Sequence, residues 1–265
     1  PVDSRQYVAG EAYSFDVPAI PGYTTLLDSE AFSEAQITGT ASADVSYVVT
    51  YVAGMVNYTV LHKYENLDGS FEEVREEKQG LVGADTESAP VNREGFTAQP
   101  YAETTIAADG TTVVTISYLR NTQYLNYQTS GGSYVARQEG KYGATVDVTD
   151  EQPVRNGFSF EGWYLDEGLN TPAGATVTLN GDVTLYAKWA GEEVGYTVIY
   201  WLENADDDGY SYYKTVTGRR ATAGEQVQLT QRDVESIRYF TFERSDAVTV
   251  KADGSSIVNV YYSRN

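Results

Sequence analysis

Few residues in this chain of 265 could carry out nucleophilic or acid–base chemistry, since it has one histidine and no cysteine. Any pair of a nucleophile and an imidazole base would have to include His62. His62 stands in an alternating, strand-like segment, and a later copy of that segment has Tyr200 instead. We therefore interpret His62 as a half-exposed strand residue and expect no enzyme. Paired carboxylates for glycoside hydrolysis stay open among the 38 acidic residues, because a sequence does not show their separation.

One acidic segment has the spacing of a calcium ligand set. Residues 204–209 match the first half of the Ca²⁺-loop pattern D-x-[DN]-x-[DN]-G, except that Asn204 takes the first place. The twelfth position, where the bidentate glutamate belongs, is Thr215. A solvated acidic turn and a weak calcium site are therefore both open. We predict the turn, with no metal and no cofactor.

Three tyrosines follow that acidic segment and are the candidate ligand contacts of the chain. In a strand, Tyr210 and Tyr212 lie on one face and Tyr213 on the other. At least one of them is then exposed unless both faces are covered. An exposed tyrosine pair could bind a glycan or a protein. Tyrosine is also common in strands for packing reasons alone, which is the simpler interpretation.

An internal repeat organises the chain. Residues 58–66 align with residues 196–204, and residues 108–121 align with residues 252–265. Each copy opens with an alternating strand, turns at an Asn- and Gly-containing segment, and closes on a strand entered through Ala-Asp-Gly. We call residues 55–121 copy 1 and residues 191–265 copy 2. Short linkers are expected between modules, at residues 52–57, 120–123 and 190–195.

The segment between the copies carries the most specific motif. It reads Gly-Phe-Ser-Phe-Glu-Gly-Trp-Tyr at residues 157–164 and closes with Leu-Tyr-Ala-Lys-Trp at residues 185–189. Together with Gly131-Gly132-Ser133, Tyr142-Gly143 and Pro153, these motifs resemble the Listeria–Bacteroides repeat, a module of bacterial surface proteins. The resemblance implies a β-grasp fold and no catalytic residue. From the residues themselves, Trp163 is expected in the core, because so small a domain cannot spare its large aromatics.

The two copies resemble MucBP-like modules of Gram-positive surface proteins, and the N-terminal segment resembles a truncated one without its opening strand. The domains predicted are residues 1–54, a partial MucBP-like module; 55–121, a MucBP-like module; 122–190, the Listeria–Bacteroides repeat or central repeat; and 191–265, a MucBP-like module. The predicted fold class is mainly β, of the α+β β-grasp type. Tandem small modules of this kind are expected to form an elongated string.

The charge of the chain limits the kinds of partner that it can bind. A net charge of −20 and a pI near 4.3 oppose binding to nucleic acid or to an anionic membrane surface, so neither is expected. The leading hypothesis is a monomeric, non-catalytic stalk of an extracellular protein at the bacterial cell surface or cell wall, which supports an adhesive or catalytic head. The alternative is an adhesin module that itself binds a host mucin glycan or a protein partner.

Overall fold

The computed structural model describes residues 3–265 and consists of strands, turns and loops. The mainly β prediction is confirmed, but the α+β β-grasp type is wrong, because no helix occurs in the described residues. The loops that cover each sheet explain this. A helix of fewer than about 12 residues is marginal, and proline interrupts one. Pro90 and Pro153 lie within two of these loops.

The chain divides into two compact units, the first ending at Asn121 and the second covering Thr122–Asn265. In the first unit, the N-terminal segment forms a two-stranded sheet, β1 with β4, and a three-stranded sheet in the order β3-β2-β5. Among the described strands, β5 pairs with β2 alone, in antiparallel register. The strands are β1 Ala12–Asp16, β2 Tyr23–Leu27, β3 Glu30–Ala31, β4 Gln36–Thr40 and β5 Val49–Ala53.

Copy 1 completes the first unit with a four-stranded sheet in the order β7-β6-β9-β8. The opening strand β6 pairs in parallel with the closing strand β9 and antiparallel with β7. One face packs a core that includes Val60, Val114 and Ile116. The strands are β6 Met55–Glu65, β7 Phe71–Leu81, β8 Phe96–Ala98 and β9 Val113–Arg120.

In the second unit, the central repeat has a four-stranded sheet in the order β11-β10-β15-β13 and a small sheet of β12 and β14. Its opening strand β10 also pairs in parallel with its closing strand β15. Trp163 is 5% exposed within the core of this sheet, which confirms the packing prediction. The strands are β10 Thr122–Gln128, β11 Gln138–Lys141, β12 Thr145–Asp147, β13 Phe158–Tyr164, β14 Thr176–Thr178 and β15 Val183–Gly191.

Copy 2 repeats the plan of copy 1, with sheet order β17-β16-β21-β19 and a small sheet of β18 and β20. Its opening strand β16 pairs in parallel with its closing strand β21. The core again lies on one face and includes Val198, Val258 and Val260. The strands are β16 Glu193–Glu203, β17 Tyr210–Thr222, β18 Gln226–Val227, β19 Phe240–Ser245, β20 Val248–Thr249 and β21 Ile257–Arg264.

The segments between modules are much shorter than the predicted linkers. The closing strand of one module and the opening strand of the next are separated by a single residue, namely Gly54, Asn121 or Glu192. The prediction of linkers four to six residues long is therefore wrong. The apparent linker residues have alternating or apolar side chains, and they extend the strands instead.

Backbone hydrogen bonds join adjacent modules within each unit. In the first unit, the carbonyl of Gly22 accepts from Gly54 N at 2.8 Å, and the carbonyl of Gly54 accepts from Val82 N at 3.0 Å. In the second unit, the carbonyl of Gly157 accepts from Glu192 N at 2.8 Å, and that of Glu192 accepts from Ala223 N at 2.9 Å. We call this arrangement the module joint.

The module joint requires glycine at its turn. Gly22 has φ 78° and Gly157 has φ 69°, in the left-handed region that side chains disfavour. A Cβ at Gly22 would lie 2.8 Å from the carbonyl oxygen of Ala108, and a Cβ at Gly157 would lie 2.5 Å from the Cβ of Ala252. Ala108 and Ala252 are corresponding residues of the two Ala-Asp-Gly turns. The same close contact is thus built twice in the chain.

Candidate functional site

The face of the copy 2 sheet opposite its core carries a line of side chains that crosses all four strands. Cross-strand register places Tyr212 beside Trp201, Trp201 beside Tyr261, and Tyr261 beside Arg244. Alternation explains the placement, since Tyr200 and Tyr262, next to the two central members, are buried in the core. We call these four residues the aromatic row.

Two edge-to-face ring contacts occur in and beside the aromatic row. Trp201 and Tyr212 have centroids 6.2 Å apart and planes at 83°. Tyr210 lies beside the row, with its centroid 5.0 Å from that of Tyr261 and its plane at 75°. The guanidinium of Arg244 stacks over Tyr261 at 3.7 Å. These are favourable geometries for aromatic pairs and cation–π contacts, so Trp201 and Tyr212 support each other, and Tyr210 and Arg244 support Tyr261.

Polar side chains on the same face hold Trp201 and Arg244. The indole Nε1 of Trp201 donates to Asn259 Oδ1 at 2.9 Å, and Asn259 Nδ2 donates to Asp246 Oδ2 at 2.8 Å. Arg244 forms ion pairs with Glu243 and Asp246, each at 3.7 Å. Aromatic faces and satisfied polar groups are thus combined on one sheet surface.

The structure separates the three predicted tyrosines. Tyr212 is a row member and 59% exposed, and Tyr210 flanks the row. The hydroxyl of Tyr210 donates to Glu243, and this hydrogen bond to a carboxylate raises the pKa of Tyr210. Tyr213 lies at a bulge, where the register passes from Lys214 to Tyr212, so it does not join the row. Whether any of the three contacts a ligand stays a prediction.

Sequence reasoning did not single out Trp201, Tyr261 or Arg244. A signal existed for two of them, because the alignment of the copies sets Trp201 against Lys63 and Tyr261 against Ser117. A large aromatic at a position where the other copy has a polar residue indicates an exposed site. Arg244 had no such signal, since a bulge between Phe242 and Arg244 decides its placement.

His62 is not the half-exposed residue that the sequence indicated. It is 3% exposed, and its Nδ1 lies 2.8 Å from the hydroxyl of Tyr118. Its Nε2 lies 3.4 Å from Glu76 Oε2. His62 alternates in phase with the core residues Val60 and Tyr64 of β6, so it lies on the packed face of the sheet. Its contacts satisfy a buried imidazole, and no serine, threonine or lysine nucleophile is among its hydrogen-bond partners.

The acidic segment at residues 204–209 forms a tight turn. Asp207 Oδ1 accepts from Asn204 Nδ2 at 2.6 Å and from Gly209 N at 2.7 Å, and these bonds lower the pKa of Asp207. Asp206 and Asp208 point to solvent as exposed residues. In the part of the chain that the structure describes, no three His, Cys, Asp or Glu side chains are grouped as a metal site would require.

Two tyrosines that pack in the cores, half-buried Tyr127 and buried Tyr262, are the other strongly perturbed titratable groups. Burial raises the pKa of Tyr127 to about 12, with Glu151 adding to the shift, and burial also raises the pKa of Tyr262. A raised pKa keeps a phenol protonated at neutral pH, which is the opposite of what an activated nucleophile or base requires. These groups are part of the cores and do not form an active site.

Comparison with known proteins identifies the central repeat. Residues 124–188 match the Listeria–Bacteroides repeat domain. The match begins within β10 and ends within β15, and so includes Trp163. It confirms the resemblance for this segment and indicates a repeat region of a surface protein.

Two proteins of Evansella cellulosilytica share part of the chain. One, provisionally named a Gly-rich membrane protein, is 40% identical over 70 residues, which is 26% of this chain and 8% of that protein. The other, provisionally named a membrane protein, is 37% identical over 83 residues, which is 31% of this chain and 12% of that protein. Across residues 3–265, we find no helix of the length and apolar character needed to cross a bilayer.

Proposed function

We propose that this chain is a non-catalytic stalk region of a bacterial cell-surface protein, which supports an adhesive or catalytic head elsewhere in that protein. The flanking copies would be MucBP-like modules, and the protein would be extracellular at the cell surface or cell wall. The Listeria–Bacteroides match and the two membrane-protein relatives support an envelope location. A non-catalytic role is in keeping with His62, the one histidine of the chain, whose ring is buried and contacts Tyr118.

The observation that carries the proposal is the parallel pairing of the opening and closing strands. It occurs in copy 1, in the central repeat and in copy 2. Because the two strands run in the same direction, the chain enters such a sheet at one end and leaves at the other. Tension along the chain then loads the hydrogen bonds between these strands in shear. Because the load falls on all of these bonds at once, they must break together. A module of this topology resists stretching better than one that is peeled open bond by bond.

The module joint supports the same function. Backbone hydrogen bonds and glycine-mediated contacts connect neighbouring modules within each unit, and one residue separates their strands. Such a connection transmits force from one module to the next with little slack. A stalk requires this property, whereas independent binding modules on flexible linkers do not.

Single-molecule stretching tests the proposal, and the absence of native cysteine makes attachment specific. In the full chain, Glu193→Cys with Asn265→Cys loads copy 2 in shear along β16 and β21. The matched variant, Glu193→Cys with Thr222→Cys, pulls on paired residues of β16 and β17 and peels that hairpin open. We expect a clearly higher unfolding force in the first geometry. Equal low forces in both would contradict a load-bearing role.

Small-angle scattering of the full chain gives a second test. A compact globule of this length would have a radius of gyration of roughly 18 Å. Modules in line, each about 30 Å long from strands rising about 3.3 Å per residue, would give roughly 30 Å. The stalk proposal requires the larger value at physiological salt. A value near 18 Å would favour a compact binding domain.

A further inference from the structure

We propose that the aromatic row of copy 2 is a binding site for a neutral oligosaccharide. The site comprises Trp201, Tyr212, Tyr261 and Arg244, with Tyr210 and Asn259 at its margin. It would add a binding activity to the stalk, and it depends only on the surface of the copy 2 sheet.

The fold itself does not require aromatic residues at these positions. Copy 1 has the same sheet, and there the register places Lys63 beside Glu73 and Ser117. Lys63 Nζ forms an ion pair with Glu73 Oε1 at 2.9 Å. In copy 1, polar residues at the corresponding positions are therefore enough for the sheet to form. In copy 2, Tyr212 is exposed and Trp201 and Tyr261 are half-buried. Aromatic surface left open to solvent carries a cost in solubility, and a clustered set on a sheet that folds without it indicates binding.

The chemistry of the row matches a sugar. A pyranose ring has an apolar face of C–H groups, which packs on tryptophan and tyrosine, and a rim of hydroxyls, which both donate and accept hydrogen bonds. The row provides the rings of Trp201 and Tyr212, and beside them the polar groups of Asn259, Asp246 and Arg244. Amphipathic aromatics with a few oriented polar groups are the usual composition of such sites.

The shape and rigidity of the row also fit an oligosaccharide. Adjacent strands lie about 4.8 Å apart, so four row residues extend over about 14 Å. This surface suits several linked sugar units more than a single small molecule. Hydrogen bonds and stacking hold Trp201, Tyr261 and Arg244 in place before binding, so little side-chain ordering remains to oppose association.

Charge selects a neutral ligand. The chain carries −20, and the acidic turn at residues 204–209 adjoins Tyr210. Arg244, the single cation of the row, is already paired with Glu243 and Asp246. Sialylated or sulfated glycans would be repelled, and so would a second copy of this chain. A neutral glycan avoids this repulsion.

Titration calorimetry of the full chain with four neutral hexasaccharides tests the site: cellohexaose, xylohexaose, mannohexaose and N-acetylchitohexaose. We expect at least one to bind. Tyr212→Ala and Trp201→Ala should each weaken its binding at least about tenfold, because each removes a stacking ring. Tyr213→Ala is the matched control, since Tyr213 is 46% exposed, adjacent in sequence and outside the row. It should leave affinity unchanged.

Thermal melting of each variant shows whether it folds. If Trp201→Ala does not fold, Tyr212→Ala still tests the site, because Tyr212 is exposed. A proline-rich decapeptide serves as the competing ligand, because aromatic surfaces also bind such segments. The proposal is overturned if none of the four oligosaccharides binds. It is equally overturned if binding survives both row substitutions, or if the peptide alone binds and Tyr212→Ala abolishes that binding.

Discussion

Copy 1 and copy 2 share a sheet but differ on its open face. Their strand orders and the parallel pairing of opening and closing strands are the same. Their core positions are both apolar, yet the open face of copy 1 has the Lys63–Glu73 ion pair where copy 2 has Trp201 and Tyr212. The fourth strand also differs, since β8 has three residues and β19 has six. The core thus specifies the fold, and the open face is free to acquire a function.

The largest effect is expected in the shared core. Ile116 and Val260 occupy corresponding positions, and both are 0% exposed. Ile116→Ala should lower the free energy of unfolding of copy 1 by about 2–5 kcal/mol through lost burial and a cavity. Val260→Ala should cost copy 2 less, because fewer methyl groups are lost. Denaturant-dependent hydrogen exchange, measured for each module by mass spectrometry, checks both values.

Ile116→Val sharpens that comparison, since it makes the two positions identical at an expected cost of about 0.5–1.5 kcal/mol. A cost below about 1 kcal/mol for Ile116→Ala would contradict the close packing of Ile116. The further loss from Ile116→Val to Ile116→Ala is the cost of replacing valine by alanine at that position, and a value unequal to the cost of Val260→Ala would show that the two cores are not equivalent.

The second effect concerns the module joint. Gly157→Ala should cost about 1–2 kcal/mol for its left-handed φ. The contact with Ala252 should add about 1–3 kcal/mol. Gly174→Ala is the control, since Gly174 has φ 75° and open space around it. Gly22→Ala and Gly10→Ala form the same pair in the first unit. Thermal melting measures the stability of each variant. If the two variants of a pair lost the same stability, the close contact would be contradicted.

A smaller effect is expected from exchanging open-face residues between the copies. Trp201→Lys with Tyr212→Glu gives copy 2 the pair found in copy 1. It should lower the stability of copy 2 by no more than about 1 kcal/mol, the scale of one cross-strand pair. Chemical denaturation monitored by circular dichroism measures this. A loss of several kcal/mol would mean that the aromatic row is part of the fold, as in a core.

The smallest effect concerns the two Ala-Asp-Gly turns. Hydrogen bonds from the hydroxyl and the amide of Thr111 lower the pKa of Asp109, and those of Ser255 lower the pKa of Asp253. The folded pKa is then below the unfolded value of about 3.9. The resulting stabilisation is complete above that pH and is lost as pH falls through the folded pKa.

Thr111→Ala and Ser255→Ala should therefore raise the pKa of their respective aspartates toward the unfolded value. Carboxyl chemical shifts followed by NMR between pH 2 and about 6 would show this. No change in either variant would mean that the backbone amides alone hold these carboxylates.

Much of the local structure followed from the sequence. The alternation in residues 58–66 and 196–204 predicted the opening strands β6 and β16, and the glycines at 110 and 254 adopt the turn conformation expected after Ala-Asp. The burial of Trp163 was predicted from its size alone. These features depend on side-chain period and on backbone conformational preference, both of which neighbouring residues determine.

Other features depended on contacts between residues far apart in the chain. The absence of a covering helix in residues 3–265 was missed, because irregular loops can bury a sheet face as well as a helix does. The burial of His62 was missed because the hydroxyl that accompanies it comes from Tyr118, 56 residues away. The one-residue connections were missed because the closing and opening strands extend into the residues that the sequence indicated as linkers.

The sequence by itself determined that this chain is a series of small β modules with aromatic cores, and that two of them are copies. Only the tertiary structure decided that Trp201, Tyr212, Tyr261 and Arg244 form one surface. The reason is that they belong to four different strands, and parallel pairing together with a bulge fixes which residues become neighbours. Register between distant strands is set by packing of the whole sheet, which no local pattern encodes.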